Sequence, residues 1–179
     1  MTPVWIPRSV AGLPALPGLP TVAVHPGVVV HCTGGSQRPQ QRRKALERLR
    51  IVHASHTRER GWIYAGYHFA VIPSGDVVEL RGWNVRGAHA KGYNRWLGVV
   101  VLGRGEEMTA EERAGLEAVF VAHLARGGGS KVIPHNAVSS KSCPGPAVTA
   151  WLAQRLREPA QAPQGCDTGS ESESGPHPP

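Results

Sequence analysis

The sequence predicts an α/β fold. Two continuous apolar runs, Val28-Val29-Val30 and the segment L-G-V-V-V-L from Leu97 to Leu102, read as strands buried on both faces. Three segments with apolar residues three to four positions apart read as amphipathic helices, so both element types build the body. With 179 residues and 40% apolar content, the chain suits one domain with an adequate core. Composition divides it into a proline-rich arm over 1–26, a globular body over 27–158 and a tail over 159–179.

In the arm, six prolines between Pro3 and Pro26 remove amide donors and fix φ, which predicts extended or irregular chain with Trp5 tacking it to the body. Gly27 to Thr33 follows as a strand. Alternation puts His31 on the face of Val29 and Cys32 on that of Val30, so the two cannot readily share a metal. Cys32 reads as a core residue, and Thr33-Gly34-Gly35-Ser36 as a turn. Residues 39–60 read as a helix with Leu46, Leu49, Val52 and His56 on one face and a row of Arg and Lys, from Arg42 to Arg58, on the other. That basic row reads as a solvated face, with a polyanion site as the alternative. Gly61 ends the helix.

Two apolar runs flank Ser74-Gly75-Asp76 and predict a hairpin within residues 66–82, with Tyr67, Phe69 and Val71 on one face and His68, Ala70 and Ile72 on the other. A glycine-rich loop over 87–94 precedes the strand at Leu97. Thr109 with Glu112 three residues later is a capping box opening the second helix, with Leu116, Val119, Phe120 and Leu124 as its apolar side. His123 in that helix reads as structural or exposed. Gly127-Gly128-Gly129 ends it. Pro146 opens a last helix through about Arg157, buried through Val148, Trp151, Leu152 and Leu156. The tail from Pro159 is almost free of apolar residues and predicts disorder; no function is assigned to its Cys166 and His177.

Lys and Arg number 20 against 13 Asp and Glu, a formal net charge of +7. This favours a polyanionic partner: nucleic acid, an anionic membrane or an acidic cell wall. No nucleic-acid reading motif is present, so a nucleic-acid partner is not expected. No apolar run approaches a transmembrane length, so neither is membrane insertion. Three cysteines do not make a disulfide framework and fit synthesis in a reducing compartment. The amino terminus lacks the pattern of a signal peptide. Synthesis in the cytoplasm is therefore expected, with release by another agent if the protein acts outside the cell.

The stretch from Lys131 to Pro146 carries the chemistry. It holds His135, Lys141 and Cys143, and imidazole and thiolate are the ligand types that suit Zn²⁺. His31, at the end of V-V-V-H-C-T, is the candidate third ligand. Three protein ligands with an open fourth position make a catalytic rather than a structural zinc site. Taken alone, a histidine in a surface loop and a small buried thiol would account for His135 and Cys143 equally well.

The segments V-V-V-H-C-T, G-Y-H-F-A-V-I-P-S-G, G-A-H-A-K-G-Y-N-R-W-L-G-V-V-V-L-G and H-N-A-V-S-S-K-S-C-P-G shift that balance. Their order resembles the zinc-dependent N-acetylmuramoyl-L-alanine amidases of type 2, a family that includes phage lysozyme-type amidases and peptidoglycan recognition proteins. The resemblance spans roughly residues 25–157. It implies a mixed central β-sheet flanked by helices, with a groove across one face and zinc at its base. It implies His31, His135 and Cys143 as the Zn²⁺ ligands, Tyr67 as the catalytic tyrosine and Lys141 as the cation that stabilises the reacting oxygen. His89 and Asn94 are implied as lining the substrate cleft.

The activity implied is cleavage of the amide between N-acetylmuramic acid and L-alanine in bacterial peptidoglycan, by a monomer and in the setting of a phage endolysin. The alternative is a module that recognises muramyl peptide without cutting it; the complete set Tyr67, Lys141 and Cys143 favours the enzyme. No acidic general base stands near the motifs, and the first-helix disulfide of animal recognition proteins is missing. No wall-binding segment is recognisable either, so wall affinity is expected from the groove and the basic helix.

Overall fold

In the computed structural model, which describes residues 2–35 and 38–157, one mixed sheet of six strands forms the centre. In chain order the strands are β1 (Trp5–Ile6), β2 (Gly27–Cys32), β3 (Phe69–Val71), β4 (Val77–Glu79), β5 (Leu97–Val101) and β6 (Lys131–Pro134). Their spatial order is β1-β4-β3-β5-β2-β6; β3 and β4 run antiparallel and the other neighbours parallel. Every residue of β2 and β5 is buried. Both faces of these interior strands are covered, so their sequences are continuous apolar runs rather than alternating ones.

Helices α1 (Arg42–Ala54), α2 (Ala110–Ala125) and α3 (Pro146–Arg155) supply the cover. Val30, Cys32, Phe69 and Val99 pack with Leu116, Val119 and Phe120 of α2 and with Val148 and Leu152 of α3. On the opposite face Ala70, Ile72 and Val100 pack with Ala45 and Leu49 of α1. The pleat thus sends Cys32 to the α2–α3 side and His31 to the other. The α1 helix continues as a π-helical turn over Ser55–Glu59, which carries the buried His56.

The arm is more than a tether. β1 adds an edge strand parallel to β4, and Ile6, Ala11, Leu13 and Val22 are buried. Trp5 packs edge-on against Phe69 at 5.5 Å between ring centres. β6 carries little strand signal in its sequence, because only four residues pair and one of them is an exposed lysine.

The expected alternation over residues 67–72 holds only from Phe69, where β3 begins. Tyr67 packs with the α1-side cluster rather than with Phe69 and Val71. The capping box is present: Thr109 Oγ1 accepts from the Glu112 amide at 3.1 Å, and the Glu112 carboxylate accepts from the Thr109 amide at 3.0 Å. Leu124 is exposed rather than buried. On that last turn of α2 the buried residue is His123, which donates from Nε2 to the Gly129 carbonyl at 3.0 Å. Leu156 is likewise exposed, since α3 stops at Arg155. Ser36, the tail over 159–179, Cys166 and His177 lie outside the described residues.

Candidate metal centre

Strand register brings the first two candidate ligands together. β2 and β6 pair in parallel with Val30 opposite Pro134, so the next residue on each, His31 and His135, emerge side by side at the strand ends. Their rings are 4.4 Å apart between centres. Cys143 arrives from the loop before α3. That loop lies directly on the one after β5: a side chain on Gly105 would put its first carbon 1.7 Å from the Pro144 carbonyl oxygen, and one on Gly145 would put it 2.1 Å from the Arg104 carbonyl oxygen. The Gly105 carbonyl then accepts from the Ala147 amide at 2.9 Å, fixing the start of α3.

One nitrogen of each histidine and the Cys143 sulfur all lie within 4.8 Å of one another. His31 Nδ1 is 3.8 Å from Cys143 Sγ. Tetrahedral Zn²⁺, with bonds of about 2.0–2.3 Å, sets its ligand atoms roughly 3.3–3.7 Å apart, so the group needs only small side-chain rotations to fit. His135 Nδ1 is buried with no hydrogen-bond partner, as a nitrogen reserved for a metal would be. Burial lowers the pKa of His31 well below the ordinary histidine range and that of His135 as well, which keeps both rings neutral, each with one nitrogen free of hydrogen. The Cys32 amide donates to Cys143 Sγ at 3.2 Å. The Cys32 thiol beside it and burial push the Cys143 thiol up, against the pull of that amide and of Lys141. A cation on the sulfur is what makes such a thiol a stable thiolate.

Tyr67 and Lys141 line the same cavity, of about 780 Å³, as the three candidate ligands. The Tyr67 ring lies 5.1 Å from that of His31. Burial, reinforced by the nearby thiols, pushes its phenol well above the usual range, so it stays protonated at neutral pH. Lys141 is exposed at the rim. Two buried side chains hold the Tyr67 segment in place. His56 accepts from the Gly66 amide at 3.1 Å, and burial takes its pKa down to about 4. Arg81, with 4% exposure, donates to the carbonyls of Tyr64, Ala65 and Arg86.

His89 and Asn94 lie in the loop before β5. Both ring nitrogens of His89 are engaged within the protein: Nδ1 with His31 Nε2 at 3.0 Å and Nε2 with the Trp96 carbonyl at 3.0 Å. Asn94 Oδ1 accepts from the amides of His89 and Ala90 at 2.9 and 3.1 Å. The two residues share a second cavity of about 450 Å³ with Arg60, Trp62, His135 and Lys141. It continues the first into a groove.

Residues 22–146 match the family model described as N-acetylmuramoyl-L-alanine amidase. The chain is 30% identical over 132 residues to the endolysin of Escherichia phage T7, covering 69% of this chain and 83% of that one. The chain belongs to the N-acetylmuramoyl-L-alanine amidase family. It is also 31% identical over 123 residues to peptidoglycan-recognition protein SC2 of Drosophila simulans, covering 65% of this chain and 66% of that protein's length. The solved structure of wild-type Drosophila PGRP-LB superposes with a TM-score of 0.80 at 25% identity, over 85% of this chain and 94% of the other.

Several groove residues of this amidase-family chain escaped the sequence reading. Arg60 falls at the end of the helix expected over 39–60 and Trp62 just beyond the helix-ending Gly61, with no motif to mark either as lining the groove. His56 was read as an apolar-face residue, and nothing in its spacing signals that its ring lies 5.5 Å from Tyr67. Arg104 and the Cys32 amide face the site only through long-range packing.

Proposed function

We propose that the protein is a Zn²⁺-dependent peptidoglycan hydrolase that cleaves the amide between the lactyl group of N-acetylmuramic acid and L-alanine. On this reading it acts as a monomeric endolysin, made in the cytoplasm and reaching the wall after release. The convergence of His31, His135 and Cys143 carries the proposal. Membership of the amidase family, with a phage endolysin among the similar proteins, supports it. No helix among the described residues is long and apolar enough to cross a membrane.

His31, His135 and Cys143 would hold the ion. Zn²⁺ supplies, when bound, a Lewis acid that activates water and polarises an amide carbonyl. The protein's own groups then act on the oxygen that gains charge. Tyr67, held protonated by burial, donates a hydrogen bond to it. The Lys141 ammonium, at the rim of the same cavity, adds a positive charge. One such donor is worth about 3 kcal/mol of barrier. Arg60, Lys91, Arg104 and Lys141 outnumber the lone Glu106 along the groove, so it attracts the carboxylates of a stem peptide.

The similarity to a peptidoglycan-recognition protein favours a second reading, a module that holds muramyl peptide without turnover. One assay separates the two. Purified peptidoglycan is incubated with the protein and Zn²⁺, and new amino termini are labelled and identified. Release of L-alanine amino termini, abolished by a chelator, is the expected result. Bound zinc and bound muropeptide with no release would establish the recognition module instead.

A further inference from the structure

Behind the candidate metal centre a chain of hydrogen bonds runs from the backbone into the sheet's end, and its direction is fixed by chemistry. The Trp96 carbonyl can only accept, so His89 Nε2, 3.0 Å away, carries a hydrogen. In the imidazole tautomer with its hydrogen on Nε2, Nδ1 is the acceptor. Among the described residues the nitrogen it meets is His31 Nε2, at 3.0 Å, which donates. A neutral His31 with its hydrogen on Nε2 has its lone pair on Nδ1, the atom that faces Cys143 Sγ at 3.8 Å.

The ring's seat is built into the backbone. Gly98 sits inside the fully buried strand β5, where a glycine weakens pairing and needs a reason. A side-chain carbon at Gly98 would come within 2.4 Å of His89 Cδ2, and one at Gly87 within 2.5 Å of the same atom. Both glycines clear the volume that the imidazole fills. Asn94 closes the loop that delivers it, accepting from the His89 amide.

We propose that His89 is a positioning residue that fixes the tautomer and ring orientation of His31 so that Nδ1 is presented to the metal, with Gly87 and Gly98 clearing its seat and the Trp96 carbonyl setting the direction of the relay. This rests on the zinc-site reading above and assigns to the His89 side chain an inward role rather than direct substrate contact. The common orienting partner of a metal-bound histidine is a carboxylate or a carbonyl bonded directly to it. Here a second histidine stands between.

The test combines two readouts. In the metal-free protein at pH 7.5, long-range ¹H–¹⁵N correlation spectra report which ring nitrogen of each histidine is protonated. His31 and His89 are both expected as the Nε2–H tautomer. Zinc affinity is then measured by competition with a chromophoric chelator. His89→Leu should weaken zinc binding about 10- to 100-fold. Gly98→Ala, which leaves no room for the ring, should do the same with His89 intact. His89→Gln, which keeps an acceptor for His31 and a donor for Trp96, should recover most of the affinity. A His31 protonated on Nδ1 in the metal-free protein would overturn the proposal whatever its metal affinity. So would wild-type zinc affinity in a folded His89→Leu protein. A wild-type protein with no zinc affinity but with His31 in the Nε2–H form would instead sink the zinc reading and leave the relay's geometry standing without a metal to serve.

Discussion

A buried phenol whose pKa is pushed up can give a hydrogen bond but cannot act as a base at neutral pH, and Tyr67 is in that state beside His31. Tyr67→Phe should therefore keep full zinc content and lose turnover by roughly 10²- to 10³-fold, as removal of one oxyanion donor does. Metal analysis with initial rates on purified peptidoglycan checks it; an unchanged rate would remove Tyr67 from the chemistry. The candidate ligands were legible through the motifs that hold them, V-V-V-H-C-T and H-N-A-V-S-S-K-S-C-P-G, rather than through residue type, since the sequence has nine histidines. Their convergence was not legible. It depends on β6 lying beside β2 with Val30 opposite Pro134, and β6 is too short and polar to announce itself. His89 was placed by resemblance at the cleft, but its two inward hydrogen bonds follow from the packing of its ring on Gly98.

Among the elements, α2 is where local sequence and structure agree most closely. Thr109 and Glu112 close both bonds of the capping box, and Glu112 also pairs with Arg38. Thr109→Ala removes the side-chain acceptor and should cost about 1 kcal/mol. For a chain of this size that lowers the melting temperature by roughly 2–4 °C. Calorimetry at pH 7.5 reads this directly, and an unchanged midpoint would mean that the cap contributes nothing. Interior strands were legible for a related reason: burial on both faces leaves an unbroken apolar run in β2 and β5. Element ends were the weak point. Tyr67 precedes β3 and so escapes its alternation, while Leu124 and Leu156 sit where helical periodicity still runs but the core has ended. The arm was obscured because its prolines mask an edge strand whose pairing is made with β4, far along the chain.

At the scale of the molecule, the fold keeps an unusual number of imidazoles inside. His25, His31, His56, His68, His89, His123 and His135 are all buried or nearly so, and burial is the main cause of the lowered pKa of each. His56 gives the clearest consequence, because it lies away from the candidate ligands. Burial lowers its folded pKa from 6.5 to about 4. Between those values the unfolded chain binds the proton and the folded one does not, so stability rises with pH across that window. The stabilisation is complete above pH 6.5 and is lost as the pH falls toward 4. Melting temperatures taken in the presence of a chelator, which removes any metal contribution, should decline steadily from pH 6.5 to 4 and stay level from 7 to 8. His56→Gln should flatten part of that slope. The six-stranded sheet, in the order β1-β4-β3-β5-β2-β6 with helices on both faces, gives the frame in which the candidate ligands meet. The measurement that bears most directly on the zinc hydrolase is bound zinc per protein, with L-alanine release, for the wild type and for Cys143→Ser. About one zinc and active release are expected for the wild type, with zinc and activity both lost in the variant. A Cys143→Ser protein that retains full zinc and a normal rate would contradict the account.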